Sequence, residues 1–119
     1  MKRVLIVDDD LDLLEMVCLT VRSNGMDPIC VSSGQEALLT LATIQFDLIL
    51  MDIFLGDKDG RELARQLKKE PRSASIPIIL YSAGEITASS IAESMADAFI
   101  QKPFNISSLI HRMYQLMPA

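Results

Sequence analysis

Carboxylates cluster directly after two hydrophobic segments of this chain. Asp8 and Asp9 follow the apolar run at residues 4–7, and Asp52 follows the run at residues 48–51. Ionised carboxylates about 4 Å apart repel each other by about 4 kcal/mol per pair at an effective dielectric near 20. A cation, a shared proton or a neighbouring lysine must offset that repulsion. Hard oxygen ligands of this kind suit Mg²⁺.

A hydroxyl and an ammonium group follow two further hydrophobic runs. Ser82 comes after residues 78–81, and Lys102 comes after residues 98–101. Each alone is typical of a turn or a solvated surface. Combined with the three carboxylates they supply a nucleophile, metal ligands, a hydroxyl donor and a positive point charge, which indicates phosphoryl transfer. Other acids of these loops are interpreted as helix caps and loop residues: Asp10, Asp12, Asp57 and Asp59.

The chain alternates between short apolar runs and amphipathic segments. The short runs are typical of strands buried on both faces of a parallel sheet. They span residues 4–7, 29–31, 48–51, 76–80 and 98–100. The pattern predicts an α/β fold with five parallel strands, doubly wound, and helices on both faces. In such a sheet, ligands bind outside the carboxyl ends of the strands, where the acids, Ser82 and Lys102 are placed.

The helical segments carry recognisable start and stop signals. The first ends at Asn24-Gly25 and has one apolar face, which consists of Leu11, Leu14, Val17, Cys18 and Val21. Ser33 and Glu36 form a predicted capping box. A third helix is predicted over residues 60–69, and a last one after Asn105 as N-cap. Residues 83–95 have few large apolar anchors, which predicts a short or loosely held helix.

Composition limits the classes of protein. The 119 residues are 50% hydrophobic and 23% charged, which suits one globular domain. A net charge of −5 argues against direct nucleic-acid binding by this segment. No segment has the length of a signal-peptide core or a membrane span. Cys18 and Cys30 are not in a C-x-x-C pair and are interpreted as buried free thiols of a cytoplasmic protein.

These motifs together resemble the response-regulator receiver domains of bacterial two-component signalling, of the chemotaxis-regulator type. The likeness is carried by Asp8-Asp9, Asp52, Asp59-Gly60, Ser82-Ala83 and Lys102-Pro103-Phe104. It covers the whole chain, so residues 1–119 are expected to form one receiver domain. It implies the flavodoxin-like strand order 2-1-3-4-5.

The resemblance implies roles for the site residues. Asp52 is the expected phosphoacceptor, and Lys102 and Ser82 are expected to contact the phosphoryl oxygens. Ser82 and Phe99 are the expected switch pair, and the Lys102–Pro103 peptide bond is expected to be cis. Mg²⁺ is expected on three carboxylates and one backbone carbonyl: Asp8, Asp9, Asp52 and Phe54.

The implied partner is a sensor histidine kinase or a histidine phosphotransfer protein. Phosphorylation of Asp52 would change the surface of the fourth helix, fifth strand and fifth helix, which would act on an output domain or a protein target. The chain would catalyse its own phosphorylation and dephosphorylation, without turnover of an external substrate. Bulky Phe54 and side-chain-free Gly84 predict slow hydrolysis of the phosphoryl group.

Some positions depart from the family pattern, and two alternatives stay open. Gly56 stands where proline is common, Met95 replaces a usual glycine, and the interval from Ser82 to Lys102 is short. These departures keep open a receiver-like binding module that signals without phosphate. The order of Asp8, Ser82 and Lys102 also keeps open a haloacid-dehalogenase-like phosphatase with Asp8 as nucleophile.

Overall fold

A computed structural model describes residues 1–118. Five strands and five helices alternate along them: β1 (Arg3–Val7), α1 (Leu11–Ser23), β2 (Asp27–Val31), α2 (Gly34–Leu41), β3 (Leu48–Asp52), α3 (Gly60–Lys69), β4 (Ile78–Ser82), α4 (Ala88–Ser94), β5 (Ala98–Gln101) and α5 (Ile106–Leu116). The strands form one parallel sheet in the order β2-β1-β3-β4-β5. The predicted fold class and the strand order 2-1-3-4-5 are therefore confirmed.

The sheet is covered on both faces by helices. One core joins α1 and α5 to the sheet through residues such as Val17 and Met113. The opposite core joins α2, α3 and α4 through residues such as Ala37 and Leu63, with Ile91 packed at its margin. Because both faces are buried, the central strands β3 and β4 consist almost wholly of apolar residues, as the short runs predict.

The register of the sheet aligns the residues that end its strands. Val7 of β1 pairs with Met51 of β3, so Asp8 and Asp52 are the next residues along two adjacent strands. Asp52 pairs with Tyr81 of β4, and Ser82 pairs with Gln101 of β5. The three predicted carboxylates, Ser82 and Lys102 consequently lie at the carboxyl edge of the sheet.

Side-chain caps begin the helices. Ser33 accepts from the Glu36 backbone N–H, as the capping box predicts, and Asn105 caps α5. Asp10 caps α1 and Asp59 caps α3, in line with their interpretation as capping residues.

Leu11 belongs to the predicted apolar face of α1 by its spacing, but it is 65% exposed, unlike the buried residues of that face. Leu11 is the first residue of α1, which begins beyond the carboxyl end of β1, so this side chain does not reach the core.

The fourth helix is short, as predicted. It spans seven residues, starts at the N-cap Thr87 and stops at Met95. Met95 adopts a left-handed conformation (φ 66°) that favours glycine.

The interpretation of the cysteines as free thiols was wrong. Cys18 of α1 and Cys30 of β2 are joined as a disulfide, with Cα atoms 6.6 Å apart. The two residues are 12 positions apart and belong to different elements, so no local motif marked them. None of the helices in the described part of the chain has the length and hydropathy needed to cross a bilayer.

Candidate functional site

Three carboxylates meet at the carboxyl edge of the sheet. One oxygen each from Asp8, Asp9 and Asp52 lies within 4.8 Å of the others. Asp8 is fully buried, Asp52 is 7% exposed, and Asp9 is open to solvent. This donor set of hard, converging oxygens fits Mg²⁺, which prefers one or two carboxylates together with other oxygen ligands.

Lys102 supplies the positive charge of the cluster. Its Nζ lies 3.1 Å from Oδ2 of Asp52 and 3.4 Å from Oδ2 of Asp8. The side chain is 15% exposed, and its ammonium sits 4.5 Å from the centre of the Tyr81 ring. One ammonium shared by buried carboxylates leaves the cluster with an excess of negative charge.

Burial dominates the electrostatics of Asp52. Desolvation raises the pKa of its carboxyl above the ordinary value of 3.8, while the hydrogen bond and charge of Lys102 act in the opposite direction. The charge of Asp8 raises it further. The backbone N–H of Phe54 donates to Oδ1 of Asp52 at 3.3 Å. The protein alone therefore does not fully compensate an ionised Asp52, and a cation at this position would.

Sequence reasoning missed Tyr81. Its hydroxyl donates a 2.6 Å hydrogen bond to Oδ2 of Asp8, and burial next to that carboxylate raises the pKa of the phenol. Its ring packs edge-on against Phe104. The sequence did offer one signal, since Tyr81 carries a hydroxyl and immediately precedes Ser82. Successive residues of a strand point to opposite faces, so Tyr81 and Ser82 lie on opposite faces of β4.

Ser82 and Phe54 lie on the β4 side of the acidic cluster. Ser82 is fully buried, and its Oγ accepts from the Gly84 backbone N–H at 3.1 Å. Phe54 is 53% exposed and reaches across to Gly84, where an added Cβ would lie 3.3 Å from the ring. The Phe54 ring therefore packs beside the backbone that follows Ser82.

Two further predicted features lie on β5 and just after it. Phe99 is half-buried and packs into the core on the α2, α3 and α4 face. The Lys102–Pro103 peptide bond is cis.

The loop between β3 and α3 is held by contacts that sequence reasoning did not find. Asp57 accepts from the backbone N–H groups of Gly34 and Gln35 at 3.0 Å each, which lowers the pKa of its carboxyl. The same carboxylate therefore caps α2 from a loop 22 or 23 residues away. Gly60 passes so close to Asp52 that an added Cβ would lie 2.3 Å from its carbonyl oxygen.

Arg61 connects this loop to the fourth helix. Its guanidinium forms a bidentate pair with Asp59, and this contact lowers the pKa of the Asp59 carboxyl. It also lies 5.7 Å from the centre of the Phe54 ring and donates to Oγ of Ser90 on α4. Arg61 thus contacts both Phe54 and the neighbouring helix α4.

The sequence of this chain is similar to those of known response regulators. The family model of the response regulator receiver domain matches residues 4–114. The DNA-binding response regulator MtrA of Mycobacterium tuberculosis H37Rv is 32% identical over 114 residues, which cover 94% of this chain and 49% of MtrA. The phosphate regulon transcriptional regulatory protein PhoB of Escherichia coli K12 is 30% identical over 118 residues, covering 98% of this chain and 52% of PhoB. The chain thus spans about half the length of these relatives.

Solved structures agree as well. A putative response regulator from Chloroflexus aurantiacus superposes with a TM-score of 0.91 at 31% identity, over 97% of this chain and 96% of that one. The response regulator TrrA of Thermotoga maritima, solved in complex with Mg²⁺-BeF, gives 0.89 at 28% identity, over 98% and 100%. With the strand order, the acidic cluster and the family match in agreement, this chain belongs to the receiver domains of two-component response regulators.

Proposed function

We propose that residues 1–119 form a phosphoacceptor receiver domain that takes a phosphoryl group onto Asp52. The observation that carries the proposal is the convergence of Asp8, Asp9 and Asp52 within 4.8 Å, with the Lys102 ammonium 3.1 Å from Asp52. Ala119, the last residue of the proposed domain, lies outside the described residues.

The proposed reaction is a transfer from a phosphohistidine of a partner protein. A carboxylate oxygen of Asp52 attacks phosphorus, a new O–P bond forms, and the P–N bond to the histidine breaks. The imidazole nitrogen leaves with the electron pair and takes up a proton. Since an ionised carboxylate carries no proton to remove, no side-chain base is required.

Each neighbour of Asp52 has a role in this step. Asp8, Asp9, Asp52 and the carbonyl of Phe54 would hold Mg²⁺, which neutralises charge on the phosphoryl oxygens. Lys102 is already paired with Asp52 and can exchange that carboxylate for a phosphoryl oxygen. Ser82 can exchange its bond from the Gly84 N–H for a hydrogen bond that it donates to the phosphoryl group.

The proposed output is a change in the surface formed by α4, β5 and α5. Phosphorylation adds about 1.5 to 2 negative charges and three acceptor oxygens at one point. Movement of Ser82 toward them would open space on the side of the sheet where Phe99 is half-buried. The short α4, with seven residues, offers little resistance to such a shift.

The proposed partners follow from the family. The donor is a sensor histidine kinase or a histidine phosphotransfer protein, met in the cytoplasm. The surface of α4, β5 and α5 would act on an output domain or a separate protein target. With a net charge of −5, this segment would not itself contact nucleic acid.

A phosphorylation assay with a small-molecule donor tests the proposal. Acetyl phosphate or phosphoramidate with Mg²⁺ should give a singly phosphorylated species that hydroxylamine removes, as expected for an acyl phosphate. Asp52→Asn and chelation with EDTA should each abolish it, and Asp59→Asn, at a capping acid of the same loop, should not. Phosphorylation that persists in Asp52→Asn would contradict the assignment.

Two alternatives predict different results. A binding module that signals without phosphate should not respond to beryllofluoride and Mg²⁺. A phosphoacceptor should shift its NMR resonances when they are added, and it should bind beryllofluoride more tightly than the Asp52→Ala variant does. A haloacid-dehalogenase-like phosphatase would use Asp8 as nucleophile. That role is disfavoured because both Asp8 oxygens accept hydrogen bonds inside a fully buried site.

A further inference from the structure

A tyrosine hydroxyl lies inside the acidic cluster, and phosphoryl transfer as proposed above gives it no role. Tyr81 is fully buried at the end of β4. Its hydroxyl lies 2.6 Å from Oδ2 of Asp8. An ionised carboxylate only accepts, so the phenol is the donor. Hydrogen bonds of this length from a hydroxyl to a carboxylate belong to the strong, charge-assisted class.

Tyr81 is the closest of three donors that hold Asp8. The Asp10 backbone N–H donates to Oδ1 at 3.0 Å, and Lys102 approaches Oδ2 at 3.4 Å. Asp8 has no exposed surface through which water could replace a lost donor. Its carboxylate is consequently fixed in one orientation from both sides.

The Tyr81 ring also positions the lysine. The Lys102 ammonium lies 4.5 Å from the ring centre, within the range of cation–π attraction. Phe104 meets the same ring edge-on, with centroids 5.8 Å apart. One side chain therefore contacts a proposed metal ligand through its hydroxyl and the sole ammonium of the cluster through its ring.

We propose that Tyr81 is a positioning residue of the acidic site, whose hydroxyl fixes Asp8 for Mg²⁺ and keeps Lys102 on Asp52. The inference rests on the proposed function and deepens it. Without the hydroxyl, Oδ2 of Asp8 keeps only Lys102 as a donor, so the ammonium moves from Asp52 toward Asp8. Partners that orient metal ligands commonly contribute 10- to 100-fold to metal affinity or activity.

Calorimetric titration with Mg²⁺ tests this role without any phosphorylation step. Tyr81→Phe removes the hydroxyl and keeps the ring, and we expect its dissociation constant for Mg²⁺ to rise on the order of 10-fold. Tyr114→Phe is the matched control, since it removes a hydroxyl that donates to the Asn24 carbonyl at the far end of α1, away from the acidic site. It should bind Mg²⁺ as the unaltered protein does. A folded Tyr81→Phe with unchanged affinity would overturn the proposal.

A double-mutant cycle separates positioning from simple packing. If Tyr81 acts through Asp8, then Tyr81→Phe should weaken Mg²⁺ binding only slightly further in an Asp8→Asn background. Full additivity of the two losses would contradict the mechanism. In Tyr81→Phe, the NMR signals of the Lys102 side chain should also move, because its ammonium changes partner.

The outcomes distinguish this inference from the proposed function. If the unaltered protein binds Mg²⁺ but accepts no phosphoryl group, phosphoacceptance is refuted. The role of Tyr81 is then still tested by the Mg²⁺ titration of Tyr81→Phe. Unaltered protein that binds no Mg²⁺ would refute both. Should Tyr81→Phe not fold, the hydroxyl proton of Tyr81 in the unaltered protein serves instead. Its resonance should shift on addition of Mg²⁺, and an unchanged resonance would refute the coupling.

Discussion

Neutralising Asp52 should stabilise the metal-free protein. Its carboxylate has two like charges within 4.8 Å and one ammonium at 3.1 Å. At an effective dielectric near 20, the buried charge of Asp8 repels Asp52 by about 3 kcal/mol and Lys102 attracts it by about 5 kcal/mol. The charge of Asp9 is exposed and largely screened by solvent. The charges alone therefore favour the ionised carboxyl by on the order of 2 kcal/mol. Burial acts against the ionised form and outweighs this attraction, because the pKa of Asp52 is raised above its ordinary value.

Asp52→Asn should therefore raise the free energy of unfolding at pH 7.5 in EDTA by on the order of 1 kcal/mol, since each unit by which folding raises a pKa corresponds to about 1.4 kcal/mol. Urea unfolding followed by circular dichroism is the suitable assay, because the chain has no tryptophan. The advantage should shrink as the pH falls through the raised pKa of Asp52 toward 3.8, since the folded protein then protonates that carboxyl too. Added Mg²⁺ should also reduce the difference in free energy of unfolding between the two proteins, because Mg²⁺ stabilises the unaltered protein more than it stabilises Asp52→Asn.

Asp57→Asn is the matched control with the opposite expected sign. The pKa of Asp57 is lowered by backbone N–H groups, chiefly that of Gly34, so its charged form is favoured by folding. Its contribution is present above the unfolded pKa and is lost as the pH falls through its lowered pKa, and the substitution should destabilise at pH 7.5. If Asp52→Asn destabilises the metal-free protein, or if both variants stabilise it equally, the electrostatic reasoning is refuted.

Two further substitutions test the surroundings of Asp52. Phe54→Ala should shorten the lifetime of the phosphorylated protein several-fold, because it removes the ring that packs beside Gly84 and would exclude water there. The lifetime is measured as loss of the phosphoryl group in Mg²⁺, and an unchanged lifetime would show that the ring does not exclude water. Gly60→Ala should lower the free energy of unfolding by about 3 kcal/mol, because its Cβ would lie 2.3 Å from the Asp52 carbonyl oxygen and overpack a closed site. If the variant unfolds at the same urea concentration as the unaltered protein, that close approach is contradicted.

Local patterns predicted the elements and the placement of the site. Solid apolar runs mark strands buried on both faces, and the Asp, Ser and Asn caps mark where helices begin. Because parallel strands present their carboxyl ends at one edge, the residues after β1 and β3 could be expected to meet there. Asp8, Asp9, Asp52 and Lys102 do meet there.

Contacts between distant segments were not predictable in the same way. The Tyr81–Asp8 hydrogen bond joins residues 73 positions apart, and the Cys18–Cys30 pair joins a helix to an edge strand. Asp57 was interpreted as a helix-capping or loop acid, but its sequence position did not show that the helix it caps is α2, earlier in the chain. Each of these depends on how finished elements pack against one another, which hydropathy and spacing along the chain do not encode.

The capping of α2 by Asp57 makes the two rims of the acidic site mechanically unequal. On one rim, a charged side chain ties the loop that carries Phe54 to the start of α2, despite the freedom of Gly56 at φ 85°. On the other, the segment after Ser82 leads into a helix of seven residues. The loop on the α2 side of Asp52 is therefore held more firmly than the segment on the α4 side. We expect this asymmetry to direct the structural change proposed for phosphorylation of Asp52 across β4 and β5.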